Sequence, residues 1–360
     1  MIVFFAYTQY HLFNILNLKF NLYPDKDCEL VLYNIKSGNT EMLYKRLKTM
    51  HIFKHVYVIN NDYLGSNIVC KIWLRITRYI KPFYNYHMLN RWYANKECEL
   101  IYSYGSAMEF YLLYEILKRK NNNLKWFCYE EGSGTYHSSI ENALPKFTQI
   151  YLKKVFSLNM PECADQYFIY EPLCFASNKT KVSPMPKVLG NKSLITIYRQ
   201  VFHVDSSCSL RYNWIFFEQP FGGKLDKIQN NIMKQLKNFD VAVKLHPRTE
   251  AFDKYKNMSI VNSGNTPWEM VCLNSKGLGD KILISVNSTA CITPKMIFDE
   301  EPVIIFLCRM EEVKGVIDFE SFDLFIERFK KSYKNPERII FPKNKKELLD
   351  IIKSYKDRNR

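Results

Sequence analysis

The chain has 360 residues, 47% of them hydrophobic, so it is too long for one typical core and too apolar for a disordered protein. Lysine and arginine number 51 against 36 aspartates and glutamates, and the formal charge of +15 favours anionic partners. The basic residues are dispersed and no zinc-finger, RNP-type or helix-turn-helix signature accompanies them, which argues against a nucleic-acid partner. None of the ten cysteines forms a C-x-x-C pair, as is typical of reduced thiols in a cytosolic protein.

Short apolar runs alternate with amphipathic segments over the first half of the chain. The first run, 2–7, lacks the basic flank and cleavage site of a signal peptide, and Thr8 after it is a candidate helix N-cap. This alternation predicts a parallel, doubly wound sheet. Strands are predicted at 2–7, 28–33, 56–59, 99–104 and 124–129, and helices from residue 8, at 41–50 and from 105 to about 120.

A second alternation occupies the other half of the chain. Strands are predicted at 215–217, 241–245, 282–286 and 303–306, and helices at 225–236, 268–273, 288–298, 322–331 and 345–355. The proline-containing segment 178–186 is predicted to be the interdomain link. The sequence therefore predicts an α/β protein with Rossmann-like domains over 1–185 and 186–360, facing a cleft.

The segment 66–94 interrupts the first alternation. Its apolar residues interleave with four basic residues at helical spacing, namely Lys71, Arg75, Arg78 and Lys81, and an aromatic stretch follows. Such a helical insertion can lie on an anionic membrane face, pack against a partner subunit, or form a core helix with a solvated basic face. The sequence leaves these three interpretations open. No apolar run is long enough for a transmembrane helix, so any membrane contact is expected to be peripheral.

An acidic pair stands at the end of the fifth predicted strand. Glu130 and Glu131 are followed by Gly132, which would let the backbone approach a ligand closely. Two adjacent carboxylates repel, so at least one should ionise late, as suits a general base near neutral pH. An ordinary acidic loop is the alternative interpretation. The glycines here do not form a G-x-G-x-x-G fingerprint, and the chain has no Walker A motif.

A histidine follows the predicted strand 241–245. Because Pro247 comes next, His246 is biased to an extended conformation and should point off the strand end. A histidine there can hydrogen-bond or protonate a phosphate oxygen, and Arg248 adds a cation. A capping or packing histidine is the alternative.

Hydroxyl side chains follow the predicted strand 282–286. Ser288 and Thr289 stand at the start of a predicted helix, where hydroxyls and free backbone N–H groups form an anion site. Ligands of open α/β sheets bind just past such strand ends. These residues would nevertheless cap a helix whatever the function.

No metal or cofactor is predicted. Asp25-Lys26-Asp27 has the D-x-D spacing of metal-dependent sugar transferases, but beside Pro24 and before a strand it is predicted to be a turn. No other cluster of His, Asp, Glu or Cys has metal-ligand spacing.

Taken together, these residues resemble the bacterial sialyltransferases, most closely the family 52 glycosyltransferases of lipooligosaccharide and capsule synthesis. That family has, in order, an acidic-acidic-Gly motif, a His-Pro motif and a Ser-Ser or Ser-Thr motif. The matching residues here are Glu130-Glu131-Gly132, His246-Pro247 and Ser288-Thr289. The opening Tyr7-Thr8-Gln9-Tyr10-His11-Leu12 is also similar to that of the family. The motif order matches over most of the chain, and the resemblance implies a GT-B fold.

The resemblance also implies roles for these residues. Glu131 would deprotonate the acceptor hydroxyl and His246 would stabilise or protonate the leaving CMP phosphate. Aspartate is common at the position of the base, so the choice between Glu130 and Glu131 stays open. Ser288 and Thr289 would bind the phosphate, and the segment 266–269 resembles the one whose glutamate holds the cytidine ribose. The substrate-binding residues expected from the sequence are Glu130, Gly132, Pro247, Arg248, Trp268, Glu269, Ser288 and Thr289.

The expected protein is an inverting, metal-independent sialyltransferase that uses CMP-Neu5Ac and a galactose-terminated bacterial surface glycan. It is expected to be a homodimer, located in the cytoplasm or peripherally on the inner face of the cell membrane, with no cofactor and no nucleic acid. Two alternatives remain. One is a related GT-B transferase that uses CMP-Kdo or a UDP-hexose; the other is a non-catalytic basic protein that binds anionic lipid or polysaccharide.

Overall fold

The chain forms two compact units, each built on one parallel sheet. The first comprises Met1–Pro172 and Ser177–Pro186, and the second Leu173–Ala176 and Lys187–Arg360. The structure, a computed structural model, describes all residues except 34–39, 60–80, 106, 138–143, 159–160, 162, 177–179, 189, 205–207, 247–248, 250–254, 256, 262–265, 317–318 and 359–360.

The first unit contains a seven-stranded sheet. Its strands are β1 (Ile2–Ala6), β2 (Cys28–Tyr33), β3 (His55–Ile59), β4 (Leu100–Tyr102), β5 (Lys125–Tyr129), β6 (Gln166–Ile169) and β7 (Lys181–Pro184). They lie in the order β3-β2-β1-β4-β5-β6-β7, and all neighbours are parallel. β1 is central and wholly buried, with Val3 opposite Glu29 on one side and Ile101 on the other. The predicted parallel sheet is confirmed.

Helices connect these strands. They are α1 (Gln9–Leu22), α2 (Thr40–Thr49), α3 (described over 81–92), α4 (Met108–Lys118), α5 (Ser133–His137) and α6 (Lys146–Phe156). The predicted cap of α1 is confirmed, because the Thr8 hydroxyl oxygen accepts a hydrogen bond from His11 N–H at 3.1 Å. Of the insertion 66–94, residues 66–80 lie outside the described part of the chain.

Residues 181–184 of the predicted link 178–186 are not a linker, although the first unit ends at Pro186. Residues 181–184 form the edge strand β7, which pairs with β6. The proline that suggested a linker, Pro184, is the last residue of this strand, and an edge strand tolerates a missing N–H donor. Residues 178 and 179 of the predicted link lie outside the described residues.

The second unit contains a five-stranded sheet. Its strands are β8 (Trp214–Phe217), β9 (Ala242–Lys244), β10 (Ile282–Ser285), β11 (Val303–Phe306) and β12 (Ile339–Ile340). The order is β12-β11-β10-β8-β9, again parallel throughout. β10 is the central, fully buried strand, and its Ile284 lies between Phe216 and Ile305.

The helices of the second unit are α7 (Lys192–Phe202), α8 (Gly223–Leu236), α9 (Trp268–Asn274), α10 (Thr293–Phe298), α11 (Glu311–Lys314), α12 (Glu320–Phe329) and α13 (Lys345–Arg358). They differ from the prediction at three places. Two of these are α7 and α11, which were not predicted. The single helix predicted at 288–298 is a 3-10 turn, Thr289–Cys291, followed by α10, because Pro294 in the first turn of α10 starts a new helix.

Among the helices that the structure describes, none is both long enough and apolar enough to cross a membrane. The nine described cysteines are all free thiols, seven of them buried. This agrees with their interpretation as reduced core residues.

Candidate functional site

The first candidate cluster lies at the carboxyl edge of the sheet in the first unit. β1, β4 and β5 are neighbours there, and parallel strands end at one edge. The residues that follow them are Tyr7, Ser103 and Glu130, and the Tyr7 and Ser103 hydroxyl oxygens lie 3.2 Å apart. This edge brings the acidic pair beside polar groups from the first turn of α1.

Glu130 is fully buried and occupied by hydrogen bonds. Its Oε1 accepts from the Tyr10 hydroxyl at 3.1 Å. Its Oε2 accepts from the Tyr136 hydroxyl and from Tyr170 N–H, the latter at 2.9 Å. Burial and the charge of Glu130 together raise the pKa of Tyr136. Glu130 is therefore a buried carboxylate held by donors from α1, α5 and the residue after β6.

Glu131 has different surroundings, because the turn directs its side chain outward. Gly132 has a φ of 113°, a backbone conformation that strains any residue with a side chain. The Thr135 hydroxyl oxygen accepts a hydrogen bond from Glu131 N–H at 2.8 Å, which fixes the backbone of the turn. The Glu131 side chain is 35% exposed. Its carboxylate can therefore reach a ligand, whereas that of Glu130 is enclosed.

Two ring side chains lie against the Glu131 carboxylate. His11 Nε2 is 3.5 Å from Glu131 Oε1, and the Tyr104 hydroxyl interacts with the same carboxylate. Burial, together with the negative charge of Glu131, raises the pKa of Tyr104 and keeps its hydroxyl protonated. The sequence had offered His11 and Tyr104 no functional assignment.

The second candidate cluster lies at the carboxyl edge of the sheet in the second unit. β10, β8 and β9 are adjacent, so residues 286–289, 218–219 and 245–246 emerge at one edge. Gln219 and Asn287 join two of these ends. Gln219 Nε2 donates to Asn287 Oδ1 at 3.0 Å, and Asn287 N–H donates to Gln219 Oε1 at 3.1 Å. This exchange fixes the position of the loop that carries Ser288.

Glu218 holds the loop that carries His246. It is a buried carboxylate directly after β8, and its Oε2 accepts from His246 N–H at 3.1 Å and from the Thr249 hydroxyl. The backbone N–H of Glu218 donates to Lys244 O at 3.0 Å. Two strand ends are thus tied together around His246, whose side chain is half-buried. Sequence reasoning missed Glu218, although an acid directly after an apolar strand was a signal for it.

Ser288 and Thr289 lie at this edge, but most backbone N–H groups around them are already engaged. Ser288 N–H donates to Ser285 Oγ at 2.9 Å, and Ala290 N–H donates to Ser288 Oγ at 3.3 Å. Asn287 N–H is bound to Gln219, as described above. The backbone N–H groups of Asn287, Ser288 and Ala290 are therefore not free, whereas the anion-site prediction assumed free N–H groups. The Ser288 hydroxyl accepts one bond and can still donate its own proton to a ligand.

Trp268 and Glu269 start α9 beside the same turn. Trp268 Nε1–H donates to Ala290 O at 2.8 Å, and its indole packs edge-on against Phe217. Burial raises the pKa of Glu269 to about 7, and a backbone hydrogen bond and attraction to Lys244 offset this only in part. Burial also lowers the pKa of Lys244. Glu269 is thus a buried carboxyl that changes charge near neutral pH.

The other residues singled out in the sequence are Pro247, Arg248 and the D-x-D segment 25–27. Pro247 and Arg248 lie outside the described residues. The D-x-D segment is a turn, as predicted, and Asp27 forms an ion pair with Lys54 at 2.8 Å. In the described part of the chain, no group of three His, Cys, Asp or Glu side chains is placed to hold a metal ion.

A surface pocket of about 590 Å³ lies elsewhere in the second unit. Trp214 and Ile282, the first residues of β8 and β10, line it together with Arg211 and Lys356. It is therefore at the amino edge of the sheet, and none of the predicted site residues that the structure describes lines it.

Comparison with known proteins identifies the fold. No protein-family model matches the chain, and no functionally curated protein matches its sequence. An α/β-galactoside α2,3-sialyltransferase from the marine bacterium Photobacterium phosphoreum is similar in structure, with a TM-score of 0.55 at 11% identity, over 94% of this chain and 98% of that one. The protein accordingly has a GT-B-like fold of two Rossmann-like units, as predicted.

Weaker likenesses are to UDP-N-acetylglucosamine 2-epimerases. The putative enzyme of Listeria monocytogenes has a TM-score of 0.47 at 11% identity, over 94% of this chain and 88% of that one. The enzyme of Methanocaldococcus jannaschii, in complex with UDP-GlcNAc and UDP, also has a TM-score of 0.47 at 11% identity, over 99% and 100% of the two chains.

Proposed function

We propose that the protein is an inverting, metal-independent sialyltransferase that moves sialic acid from CMP-Neu5Ac to a galactose-terminated bacterial surface glycan. The observation that carries the proposal is the position of the motif residues. An accessible carboxylate lies at the carboxyl edge of one sheet, and a histidine, hydroxyls and a buried acid lie at the carboxyl edge of the other. Ligands of open parallel sheets bind at such edges.

Glu131 is the better candidate for the base. A general base must reach the proton that it abstracts, and the Glu131 carboxylate is partly exposed. Glu130 is buried and accepts three hydrogen bonds through its two oxygens, so it supports the turn instead. These contacts favour Glu131 in the choice that the sequence left open.

The cluster of the second unit suits the nucleotide. His246 and the Ser288 and Thr289 hydroxyls would contact the phosphate, where negative charge grows as the donor bond breaks. Glu269 would accept hydrogen bonds from the ribose hydroxyls, and Trp268 fixes the start of its helix. Because the nearby N–H groups are engaged, the hydroxyls and His246 carry most of the phosphate recognition in this proposal.

The chemical step follows from these roles. Glu131 takes the proton of the acceptor hydroxyl, whose oxygen attacks the anomeric carbon of the sialic acid. The bond from that carbon to the phosphate oxygen breaks, and CMP leaves with the electron pair. His246 donates a hydrogen bond or a proton to the departing phosphate. One displacement at the anomeric carbon inverts its configuration.

A donor screen tests the proposal. Purified protein is incubated with a galactose-terminated oligosaccharide and, separately, CMP-Neu5Ac, CMP-Kdo or UDP-hexoses, and the products are identified by mass spectrometry. The proposal predicts a sialylated product from CMP-Neu5Ac without added metal. Transfer from CMP-Kdo or a UDP-hexose alone would assign a different donor. Failure to transfer or hydrolyse any of these donors between acid and neutral pH would exclude the proposed transferase activity.

A further inference from the structure

His11 is a fully buried histidine with one unsatisfied ring nitrogen. It lies in the first turn of α1, and its side chain is 0% exposed. Nδ1 accepts a hydrogen bond from Tyr7 N–H at 3.2 Å, so in the neutral ring the proton is on Nε2. Nε2 makes no hydrogen bond to any residue that the structure describes. A buried donor in this state is unusual and calls for a partner.

The nearest acceptor to that nitrogen is the proposed base. Glu131 Oε1 is 3.5 Å from His11 Nε2, just beyond the range of a good N–H···O bond. The imidazole is fixed, because it packs edge-on against Tyr7 and Tyr129 at ring-centre distances of 5.4 and 5.3 Å. The Glu131 side chain is partly exposed and can move. A shift of less than 1 Å in the carboxylate therefore closes the bond.

We propose that His11 is a positioning residue, whose Nε2–H holds the Glu131 carboxylate in the orientation in which it takes the acceptor's proton. The inference rests on the proposed function, because that function makes Glu131 the base. With the Tyr104 hydroxyl also on this carboxylate, two rigid donors fix it and leave its other lone pairs for the acceptor hydroxyl. His11 itself transfers no proton in this arrangement.

Two amide substitutions of His11 test the roles of its two ring nitrogens separately. The amide of His11→Asn overlays Nδ1, so it keeps the acceptor for Tyr7 N–H but offers nothing to Glu131. The amide of His11→Gln extends to the position of Nε2 and keeps a donor for Glu131. His55→Asn is the matched control, since His55 Nε2 lies 4.0 Å from another carboxylate, Glu29, at the opposite edge of the sheet.

The kinetic prediction is a loss in kcat without a change in donor binding. His11→Asn should lower kcat by about 10- to 100-fold, the effect of a misplaced catalytic group, at an unchanged KM for CMP-Neu5Ac. His11→Gln should recover most of kcat, and His55→Asn should match the wild type. Equal losses for the Asn and Gln variants, or wild-type kcat for His11→Asn, would overturn the inference. An inactive wild type in which NMR shows a proton on His11 Nε2 would contradict the proposed function and leave the predicted His11 tautomer intact.

NMR of the wild-type chain tests the proposal even if the His11 variants do not fold. With ¹⁵N-labelled histidine, the wild-type chain has seven histidines to distinguish by NMR. His11 should show a protonated Nε2 and an unprotonated Nδ1. The opposite tautomer would contradict the proposal whatever the activity, because Nε2 would then have no proton to offer Glu131.

A second observation, independent of the reaction, concerns the outer face of α6. Five of its six exposed residues recur at helical spacing and form one stripe, namely Lys146, Phe147, Ile150, Lys153 and Lys154. α3 is its neighbour, since Phe83 and Tyr86 pack against Phe156. Of nine large hydrophobic side chains exposed in the described residues, five are on these two helices: Phe83, Tyr84, Phe147, Ile150 and Val155.

The charge of this surface selects among possible partners. Residues 144–158 contain three lysines and no acidic residue. In a symmetric dimer built on this stripe, each lysine would face the lysines of the second copy. An anionic bilayer instead attracts the lysines and accepts the apolar side chains at its interface. We propose that the exposed faces of α3 and α6 dock on an anionic phospholipid surface.

Vesicle flotation tests this surface. The protein should float with vesicles of equimolar phosphatidylcholine and phosphatidylglycerol at least about tenfold more than with phosphatidylcholine alone. Phe147→Ser with Ile150→Ser, and Lys153→Glu with Lys154→Glu, should each abolish most of the flotation. Leu324→Ser and Lys346→Glu with Lys353→Glu, exposed residues of α12 and α13, are the matched controls. Unchanged flotation of the α6 variants, or their dissociation from a dimer to monomers, would overturn the proposal.

Discussion

At the residue scale, Glu130 and Glu131 are adjacent in the chain but differ in burial and in hydrogen bonding. Both are glutamates at the end of β5, yet one is enclosed by hydroxyl and amide donors and the other is open to solvent on one side. Gly132, at positive φ, makes the turn that produces this difference. A buried carboxylate with several donors is stabilising only while every donor keeps its acceptor.

Substitution by glutamine should therefore destabilise the protein much more at Glu130 than at Glu131. Glu130→Gln places an amide N–H₂ against donors, and we expect a loss of about 2 kcal/mol in the free energy of unfolding. Glu131→Gln should change that free energy by less than about 0.5 kcal/mol, since its side chain is partly exposed. Chemical denaturation of both variants measures the difference. Equal destabilisation by the two would contradict this assignment.

Glu269 should make the stability of the protein depend on pH near neutrality. Its folded pKa is about 7 against an ordinary value of 4.5, so the folded chain keeps a proton that the unfolded chain releases between these values. Stability therefore falls as pH rises through this window, by about 3 kcal/mol in all. Glu269→Gln removes the titrating group. Its stability relative to wild type should rise from about pH 5 to about pH 7 and then level off.

Urea denaturation of the wild type and Glu269→Gln at several pH values measures this linkage. Parallel pH profiles for the two proteins would show that Glu269 does not titrate in this range. Glu337→Gln, a substitution of an exposed acid in the same unit, is the control and should follow the wild-type profile.

Sequence patterns located the motif residues but could not rank them. Nothing local distinguishes Glu130 from Glu131, because their partners Tyr10 and His11 are about 120 residues away in the chain. For Glu218, the sequence showed an acid directly after an apolar strand but not its contact with the loop after β9. Side-chain environment is set by tertiary contacts, which periodicity and spacing do not encode.

At the scale of elements, hydrogen bonds connect the loops after β8, β9 and β10 at one edge of the sheet. Glu218→Gln should weaken the hold on the loop of His246, because a neutral amide binds His246 N–H and the Thr249 hydroxyl less strongly. We expect CMP affinity and kcat to fall by about tenfold, and calorimetric titration with CMP measures the first.

Thr249→Val provides a graded comparison for this prediction. It removes the hydroxyl contact to Glu218 and keeps the shape and the backbone contact, so its effect should be smaller than that of Glu218→Gln. Wild-type affinity and turnover in Glu218→Gln would show that this carboxylate does not hold the loop.

Elements with strong apolar periodicity were predictable, and those fixed by context were not. Strands such as β2 and β11 were predicted to the residue because each is a bounded apolar run. β7 was mistaken for a linker because its sequence, KVSP, has only one apolar aliphatic residue and pairs on one side only. α7 did carry a signal, with Asn191 as N-cap and buried residues at 194, 198, 201 and 202.

At the scale of the whole molecule, the proposal assigns the nucleotide to the second unit alone. Hydrogen exchange in the presence of CMP should therefore slow at residues 244–249, 268–274 and 285–291, and not at 129–137. Protection instead around Arg211 and Lys356, at the amino edge of the same sheet, would place the nucleotide in the surface pocket and contradict the site. Ligand-free protein treated identically is the control.

The GT-B-like fold describes the architecture of the protein but does not identify the reaction that it catalyses. A fold hosts many functions, so the structural likeness to a sialyltransferase at 11% identity supports the architecture and not the donor. The function proposed for this chain depends on its own motif residues and on their placement at two sheet edges.

The most direct test of that central claim is sialic acid transfer from CMP-Neu5Ac by three proteins measured side by side. Wild type should form a sialylated galactoside, and Glu131→Gln should lose at least about 100-fold in kcat while keeping CMP affinity, because a general base contributes that much. Asp25→Asn, in the exposed D-x-D turn, should retain full activity. Undiminished transfer by Glu131→Gln, or its loss in Asp25→Asn, would contradict the assignment of Glu131 as the base.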